Sequence, residues 1–344
     1  MSENFKNNSK NKYKRVTRAD VAKYANVSTT IVSYVINDNR YVDKEKRKRV
    51  EEAVKKLNYH PNYVARALKG KNSNHIIFIA DHITNEHFSQ LISEMDKYAY
   101  DNGYLISLCA NRNTEEFVSQ IICRQYDGII ISSTSFPESF IQQFIDADIP
   151  VVLLKNRDYE NINGAGAIDT GLYNGTKECV RYLANKGKKH ILYLDRVSTH
   201  GNFSNMSDLR LRGFVEQMRE SGIPISDKNI ITGCKDESEV IAKIRQRIGE
   251  GFPVDSIFGR NDRLACIGMQ AVKQSGYKIP QDISVIGFDN SSLSKYTAPT
   301  LTTVEIKRKE IGKAAIEMLH QMIEEGTVPD PVVFKTELIE REST

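Results

Sequence analysis

The stretch TRADVAKYANVSTTIVSYVIN, residues 17–37, reads as two short helices around a tight turn. Val21, Ala22, Ala25, Val27, Val32 and Val35 make one apolar seam, and the small side chains at Ala22 and Ala25 let the two helices cross closely. This is a helix-turn-helix pattern, which lays its second helix in the DNA major groove. The expected partner is therefore double-stranded DNA. Thr17 stands before Arg18, Ala19 and Asp20 as an N-cap in a capping box that uses Asp in place of Glu. Ser28 caps the second helix and puts Thr29, Thr30, Ser33 and Tyr34 on its outer face, where hydroxyls bond base edges or phosphates and a threonine methyl touches thymine. With Thr17, Ser28 and Asn37, these are the expected DNA contacts of the headpiece.

Charge supports that partner. Residues 1–70 hold 17 Lys and Arg against 7 Asp and Glu, a net of +10, and the remaining chain is −6, so the overall +4 hides a basic head on a mildly acidic body. Phosphate neutralisation by such a head supplies most non-specific DNA affinity. The segment 10–15 and the run Lys44, Lys46, Arg47, Lys48 and Arg49 carry much of this charge. Either run alone would read as a solvated face.

A third helix is predicted over 43–57, with Val50, Ala53, Val54 and Leu57 at helical spacing and basic residues on its other face. Next comes NYHPNYVARALKG, residues 58–70: Pro61 stops the helix, Asn62 caps a new one, and Gly70 ends it after two turns. A helix so short is marginal in water and needs a packing partner or DNA.

At this point the chain resembles the LacI family of bacterial transcription regulators. The matching residues are Asp20-Val21-Ala22, Val27-Ser28, Ile31-Val32-Ser33, Val35-Ile36-Asn37, Arg49-Val50, Leu57-Asn58-Tyr59, Pro61-Asn62 and Ala65-Arg66-Ala67-Leu68. The resemblance implies a headpiece over 15–60 and a hinge helix over 61–71. In that helix Leu68 wedges into the minor groove, with Asn62, Ala65, Arg66 and Lys69 also at the DNA. Apolar wedges of this kind kink a duplex toward the major groove. Tyr34 falls where many relatives carry Arg or His, so no relative's operator sequence transfers to this chain.

From residue 71 the composition changes to alternating strand and helix patterns, an α/β rhythm. Apolar runs at 75–80, 104–109, 128–131, 150–154 and 165–168 read as buried parallel strands, and the rhythm restarts at 190–194, 229–232, 256–258 and 283–289. Amphipathic helices such as 88–102 lie between them. The resemblance extends here more loosely through Arg210-Leu211-Arg212-Gly213-Phe214, Phe258-Gly259-Arg260-Asn261-Asp262, the segment from Pro280 to Asp289, and that from Pro299 to Val304. It implies a doubly wound, two-lobed effector domain of the periplasmic-binding-protein type I. The expected lobes are 74–187 with 305–326, and 188–304 with 327–344, with crossings near Gly187, Val304 and Gly326.

Ligands in open α/β sheets sit beyond strand ends. Asp169, Arg210, Asn261 and Asp289 stand at such ends, and Ser132 joins them. Carboxylates with an arginine bind neighbouring hydroxyls by charge-assisted bonds, and relatives use the first four positions for sugar hydroxyls or a nucleobase. His87 and Phe88 follow the first strand, where relatives place ring-stacking side chains. Asp169 reads equally as a cap for the helix 170–185, and Phe88 reads also as core.

Other classes find little support. The segment GLYNGTK, residues 171–177, lacks the Gly-Lys-Ser/Thr order of a phosphate loop, and Gly164-Ala165-Gly166 lacks a third glycine at dinucleotide spacing. No Ser-His-Asp or metal-type spacing occurs, so no enzyme, metal or cofactor is expected. Five cysteines, at 109, 123, 179, 234 and 266, form no CxxC pair and read as reduced thiols of a cytosolic protein. An export signal and a membrane-length apolar run are both missing, which sets aside a secreted sugar-binding module and a membrane partner.

The expectation is a cytoplasmic, homodimeric repressor of carbohydrate-utilisation genes, bound to an inverted-repeat operator and released by a sugar-type effector between the lobes. A chain ending near residue 344 without a C-terminal heptad helix favours a dimer over a tetramer. A corepressor and a phosphocarrier protein on the first lobe stay open as alternatives for the controlling ligand.

Overall fold

The computed structural model describes residues 15–60, 72–81 and 83–344. The expected hinge helix, with Asn62, Ala65, Arg66, Leu68 and Lys69, lies outside the described residues. The chain divides into two compact units, Met1–Lys71 and Asn72–Thr344.

The first unit holds α1 (Arg18–Ala25), α2 (Thr29–Asn37) and α3 (Lys44–Lys56). Thr17 and Asp20 close the expected capping box, and Asn26 in the left-handed region at φ 52° turns the chain from α1 into α2. Val21, Ala22, Ala25, Val32, Val35, Val42, Val50, Ala53 and Tyr59 form a core of mostly small side chains. Val27, Val54 and Leu57 pack at its margin. Asp43 caps α3 by accepting from the Glu45 and Lys46 N–H groups, and Lys55 and Lys56 in its last turn suit the negative end of the helix dipole.

The second unit contains two parallel sheets. The first has the order β11-β5-β4-β3-β1-β2 and is built from β1 (His75–Ala80), β2 (Leu105–Ala110), β3 (Gly128–Ser132), β4 (Val151–Lys155), β5 (Gly166–Asp169) and β11 (Val332–Val333). Its helices are α4 (Glu86–Asp101), α5 (Glu115–Cys123), α6 (Glu138–Asp146) and α12 (Arg308–Glu325). Strand alternation divides β1 between two cores: Ile76, Phe78 and Ala80 face α4 and α12, while Ile77 and Ile79 join Phe117, Ile141 and Phe144 of α5 and α6. That two-sided burial explains why the strand reads as a continuous apolar run.

The second sheet has the order β7-β6-β8-β9, with β6 (Ile191–Leu194), β7 (Ile230–Ile231), β8 (Ser256–Gly259) and β9 (Ser284–Ile286). Around it lie α7 (Leu172–Asn185), α8 (Leu209–Glu220), α9 (Glu237–Gly249), α10 (Asp262–Gln274) and the short α11 (Leu293–Tyr296). A separate antiparallel pair joins β10 (Thr303–Glu305) to β12 (Glu337–Ile339). No helix of the described residues is long and apolar enough to cross a membrane.

Two lobe boundaries differ from the sequence reading. The helix α7 packs against α8 of the second lobe, so the first crossing falls at 170–171 and not near Gly187. The close approach depends on Gly213, where a Cβ would lie 2.7 Å from the Tyr173 carbonyl oxygen. After α12 the chain does not pass directly to the second lobe: β11 first adds to the first sheet beside Ile168 and Asp169, which moves the third crossing from Gly326 to 334–336. These two crossings touch. The Phe334 N–H donates to the Asp169 carbonyl at 2.8 Å, and a Cβ on Gly171 (φ 82°) would lie 2.7 Å from the Phe334 oxygen.

Candidate DNA-reading face and effector cleft

On the headpiece, the sequence candidates separate into caps and free groups. The Thr17 hydroxyl and N–H both bond Asp20, at 2.7 and 2.8 Å, and the Ser28 hydroxyl accepts from the Ile31 N–H at 3.3 Å. Their local role is to start α1 and α2. Thr29 and Thr30 are exposed and available to a duplex. Ser33 accepts from the Asn37 amide at 3.2 Å one turn along, and Tyr34 accepts from Arg40 at 3.4 Å. Lys44, Lys46, Lys48, Arg49, Lys55 and Lys56 of α3 are exposed and can meet phosphates.

In the second unit the two sheets share the strand order 2-1-3-4, which reverses direction beside the first strand of each. Such a switch point opens a crevice at the carboxyl ends of the flanking strands. Asp81 follows β1 and Ser133 with Thr134 follow β3; Asp195 follows β6 and Arg260 follows β8. All five occupy the switch points.

Asp81 accepts from the Thr134 N–H and hydroxyl at 2.9 Å each, from Ser135 at 3.2 Å, and from the Ser133 hydroxyl. Arg196 reaches across from the second lobe. It bonds the Thr134 hydroxyl and approaches Asp81 at 3.9 Å while holding Asp208 at 2.9 Å. Arg260 binds the same Asp208 oxygen at 2.8 Å and lies 3.8 Å from Asp195. Burial alone would raise the Asp208 pKa, but Arg260 and Arg196 hold it far below the usual carboxylate range. Burial depresses the Arg196 pKa, with the neighbouring Arg260 charge acting in the same direction. The lobes also meet through backbone bonds from Asp158 N–H to Ser207 and from Leu209 N–H to Asn156, at 3.2 and 3.1 Å, and through an Arg212–Asp158 ion pair. On the other rim Glu86 accepts from the Ser292 N–H and hydroxyl at 2.9 Å each.

Arg210 and Asp289 are brought together in a 2.9 Å ion pair, with the Arg210 guanidinium over the Phe288 ring. Burial depresses the Arg210 pKa, while Asp289 opposes that shift. His87 feels Asp289, Arg308 and Arg210; its Nδ1 is sealed from solvent although the residue is only partly buried, and burial lowers its pKa to about 4. Asp262, next to Asn261, is pushed up to about 7 by burial and by Asp289, against bonds from Thr303 and Ser291.

The other candidates have local partners. Asn261 caps α10 through the Leu264 N–H at 2.9 Å, and Asp169 accepts from the Gly171 N–H at 2.8 Å. Ser132 is buried and accepts from Asn156 at 3.0 Å. Phe88 packs edge-on against Phe78 in the core at 6.1 Å, the alternative the sequence left open for it. Sequence reading missed Asp81, Asp195, Arg196, Asp208 and Arg260. Three of these directly follow a strand flanking a switch point, a position that strand order reveals and a strand list does not.

Tyr193 Oη, Arg196 Nε, Arg210 Nε and Arg308 Nε, like His87 Nδ1, are buried without a hydrogen-bond partner among the described residues. Buried polar groups are normally satisfied, so these atoms have bonding capacity to spare; of their residues, Arg196 lines the cavity at the switch points, with Asp81, Asn111 and Ser135. Among the described residues no cluster of three or more His, Cys, Asp or Glu is arranged to hold a metal ion.

Known proteins resemble this chain in sequence and fold. Residues 17–62 match the family model for bacterial regulatory proteins of the lacI family, and residues 180–344 match that for the periplasmic binding protein-like domain. The HTH-type transcriptional repressor PurR of Vibrio vulnificus (strain CMCP6) is 32% identical over 90% of this chain and 92% of the relative. PurR of Histophilus somni (strain 129Pt) is 30% identical over 95% and 98%. The lac repressor dimer bound to operator and the anti-inducer ONPF superposes with a TM-score of 0.80 at 27% identity, covering 96% of this chain and 99% of that one.

Proposed function

The chain belongs to the LacI family of bacterial regulatory proteins, and from that membership we propose that a small polar effector bound between its two lobes controls its hold on an operator. As a family member it is a DNA-binding transcriptional repressor and not an enzyme. The observation that carries the effector reading is Arg196, which joins Asp208 of the second lobe to Thr134 and Asp81 of the first at the switch points of both sheets. A guest there competes with or completes bonds between the lobes and so sets their angle.

The effector in this reading is sugar-like, with its hydroxyls on Arg210 and Asp289, and the genes controlled are those for using it. Lobe movement reaches DNA through the hinge at 61–71, where Leu68 is the minor-groove wedge. A coupling of about 1 to 3 kcal/mol is enough for roughly 5- to 150-fold control. The working form is a cytosolic homodimer on an inverted repeat. Supporting this, Leu293 and Tyr296 are exposed on α11, and Cys266, Met269 and Gln270 line an adjacent groove. The lac repressor of similar fold is itself described as a dimer.

A nucleobase corepressor in the same cleft is the second reading, favoured by relatives named PurR. A thermal-shift screen against sugars, sugar phosphates, nucleosides and purine bases separates the two, since a ligand at 100 times its Kd adds about 2.7 kcal/mol of stability. A sugar hit that releases operator DNA supports induction. A base that tightens operator binding supports the corepressor, and no hit of either kind overturns the cleft reading in favour of a protein partner.

A further inference from the structure

Tyr34 on the outer face of α2 carries a guanidinium that belongs to another residue. Arg40, three residues beyond the helix end, has its Cζ 5.2 Å from the centre of the Tyr34 ring and donates from Nη1 to the Tyr34 hydroxyl at 3.4 Å. Arg40 is exposed and has no carboxylate partner among the described residues; Asp38, the acid nearest in sequence, is bound instead by Arg47 at 2.8 Å. Tyr34 lies one helical turn from Thr30 and from Asn37, so the guanidinium is delivered to the edge of the face those residues share.

A tyrosine offers a base pair one hydroxyl, which distinguishes bases poorly. A guanidinium is a planar fork that matches the O6 and N7 acceptors of guanine. Ordering a long arginine normally opposes binding, and the Tyr34 ring does that ordering before DNA arrives. We propose that Arg40, positioned by Tyr34, reads a guanine in each operator half-site.

The test is selection from a half-site-randomised duplex library at fixed salt, using full-length wild type, Arg40→Ala, Tyr34→Phe and Tyr34→Ala. Wild type selects guanine at one position per half-site. Arg40→Ala loses about 5- to 150-fold of discrimination there, the range of one bidentate pair, and keeps its preferences elsewhere. Tyr34→Phe keeps the ring and most of the preference, and Tyr34→Ala loses it at the same position. Because Tyr34 also packs against the headpiece core, the exposed Arg40 supplies the decisive variant. The proposal is overturned if Arg40→Ala weakens all sequences alike and lowers the salt slope by about one, as a phosphate contact does. An unchanged selected sequence also overturns it.

Discussion

Arg210 and Asp289, 79 positions apart in the chain, meet at 2.9 Å through side chains only 11% and 7% exposed. Asp289 holds φ at 105°, a region few non-glycine residues occupy. Its backbone is clamped on both sides: the N–H donates to the Val304 carbonyl at 3.0 Å, and its own carbonyl accepts from Arg308. Val304 and Arg308 flank the second crossing between the lobes. The carboxylate proposed for the effector is therefore tied to the second crossing, and in that proposal a bond made or lost at Asp289 acts on the segment joining the lobes.

Removing one member of this pair leaves the other buried and uncompensated. Arg210→Ala is expected to lower stability by roughly 3 to 5 kcal/mol, read from urea unfolding midpoints. A loss below about 1 kcal/mol would mean that water reaches Asp289 freely.

Arg196 differs, because Asp208 keeps Arg260 when it is removed. Arg196→Ala should cost far less stability than Arg210→Ala but loosen the lobes, raising the radius of gyration of the effector-free protein in small-angle scattering. An unchanged radius would show that the backbone bonds between Asn156, Asp158, Ser207 and Leu209, with the Arg212–Asp158 pair and the Glu86–Ser292 bonds, hold the cleft without Arg196.

His87 makes a pH signature. Its folded pKa of about 4 lies below the ordinary 6.5, so the unfolded chain binds the extra proton first as pH falls. The contribution to stability is complete above about 6.5 and declines toward pH 4, by no more than about 1.4 kcal/mol per unit. Asp262, raised to about 7, acts oppositely, losing stability as pH rises from about 4 through 7. His87→Gln should therefore lose less stability than wild type between pH 7 and pH 5 in denaturant titrations; equal losses would place the histidine in contact with water.

In the headpiece, Thr17→Ala and Thr30→Ala should separate folding from reading. Thr17→Ala removes the capping box and is expected to cost about 1 kcal/mol of headpiece stability. Thr30→Ala should leave the melting temperature unchanged and weaken operator binding. The reverse pattern would move the reading role to the start of α1.

The central strands of both sheets were legible in the sequence because burial on two faces writes continuous apolar runs, as in β1 and β6; β2, read as buried, is an edge strand only partly covered, with Leu105 exposed. The headpiece was legible because caps at Thr17 and Ser28 mark its first two helix starts and the spacing of Val50, Ala53, Val54 and Leu57 marks the third helix. Arg210 and Asp289 were found together, each standing beside a strand end or helix start. The lobe boundaries were not, because α7 and β11 are ordinary elements whose allegiance is decided by what they pack on: Gly213 for one, the exposed edge of β5 for the other. Arg196 and Asp208 lie in a loop without periodicity, so only the folded arrangement joins them to Thr134 and Asp81.

In the proposed mechanism the cleft and the operator are linked through Arg210. Its most direct test is operator affinity measured by fluorescence anisotropy with and without saturating effector, for wild type and for Arg210→Lys, which retains the charge opposite Asp289. Wild type should shift by about 5- to 150-fold and the variant not at all, with equal effector-free affinities. A variant that responds to effector as wild type does would contradict it.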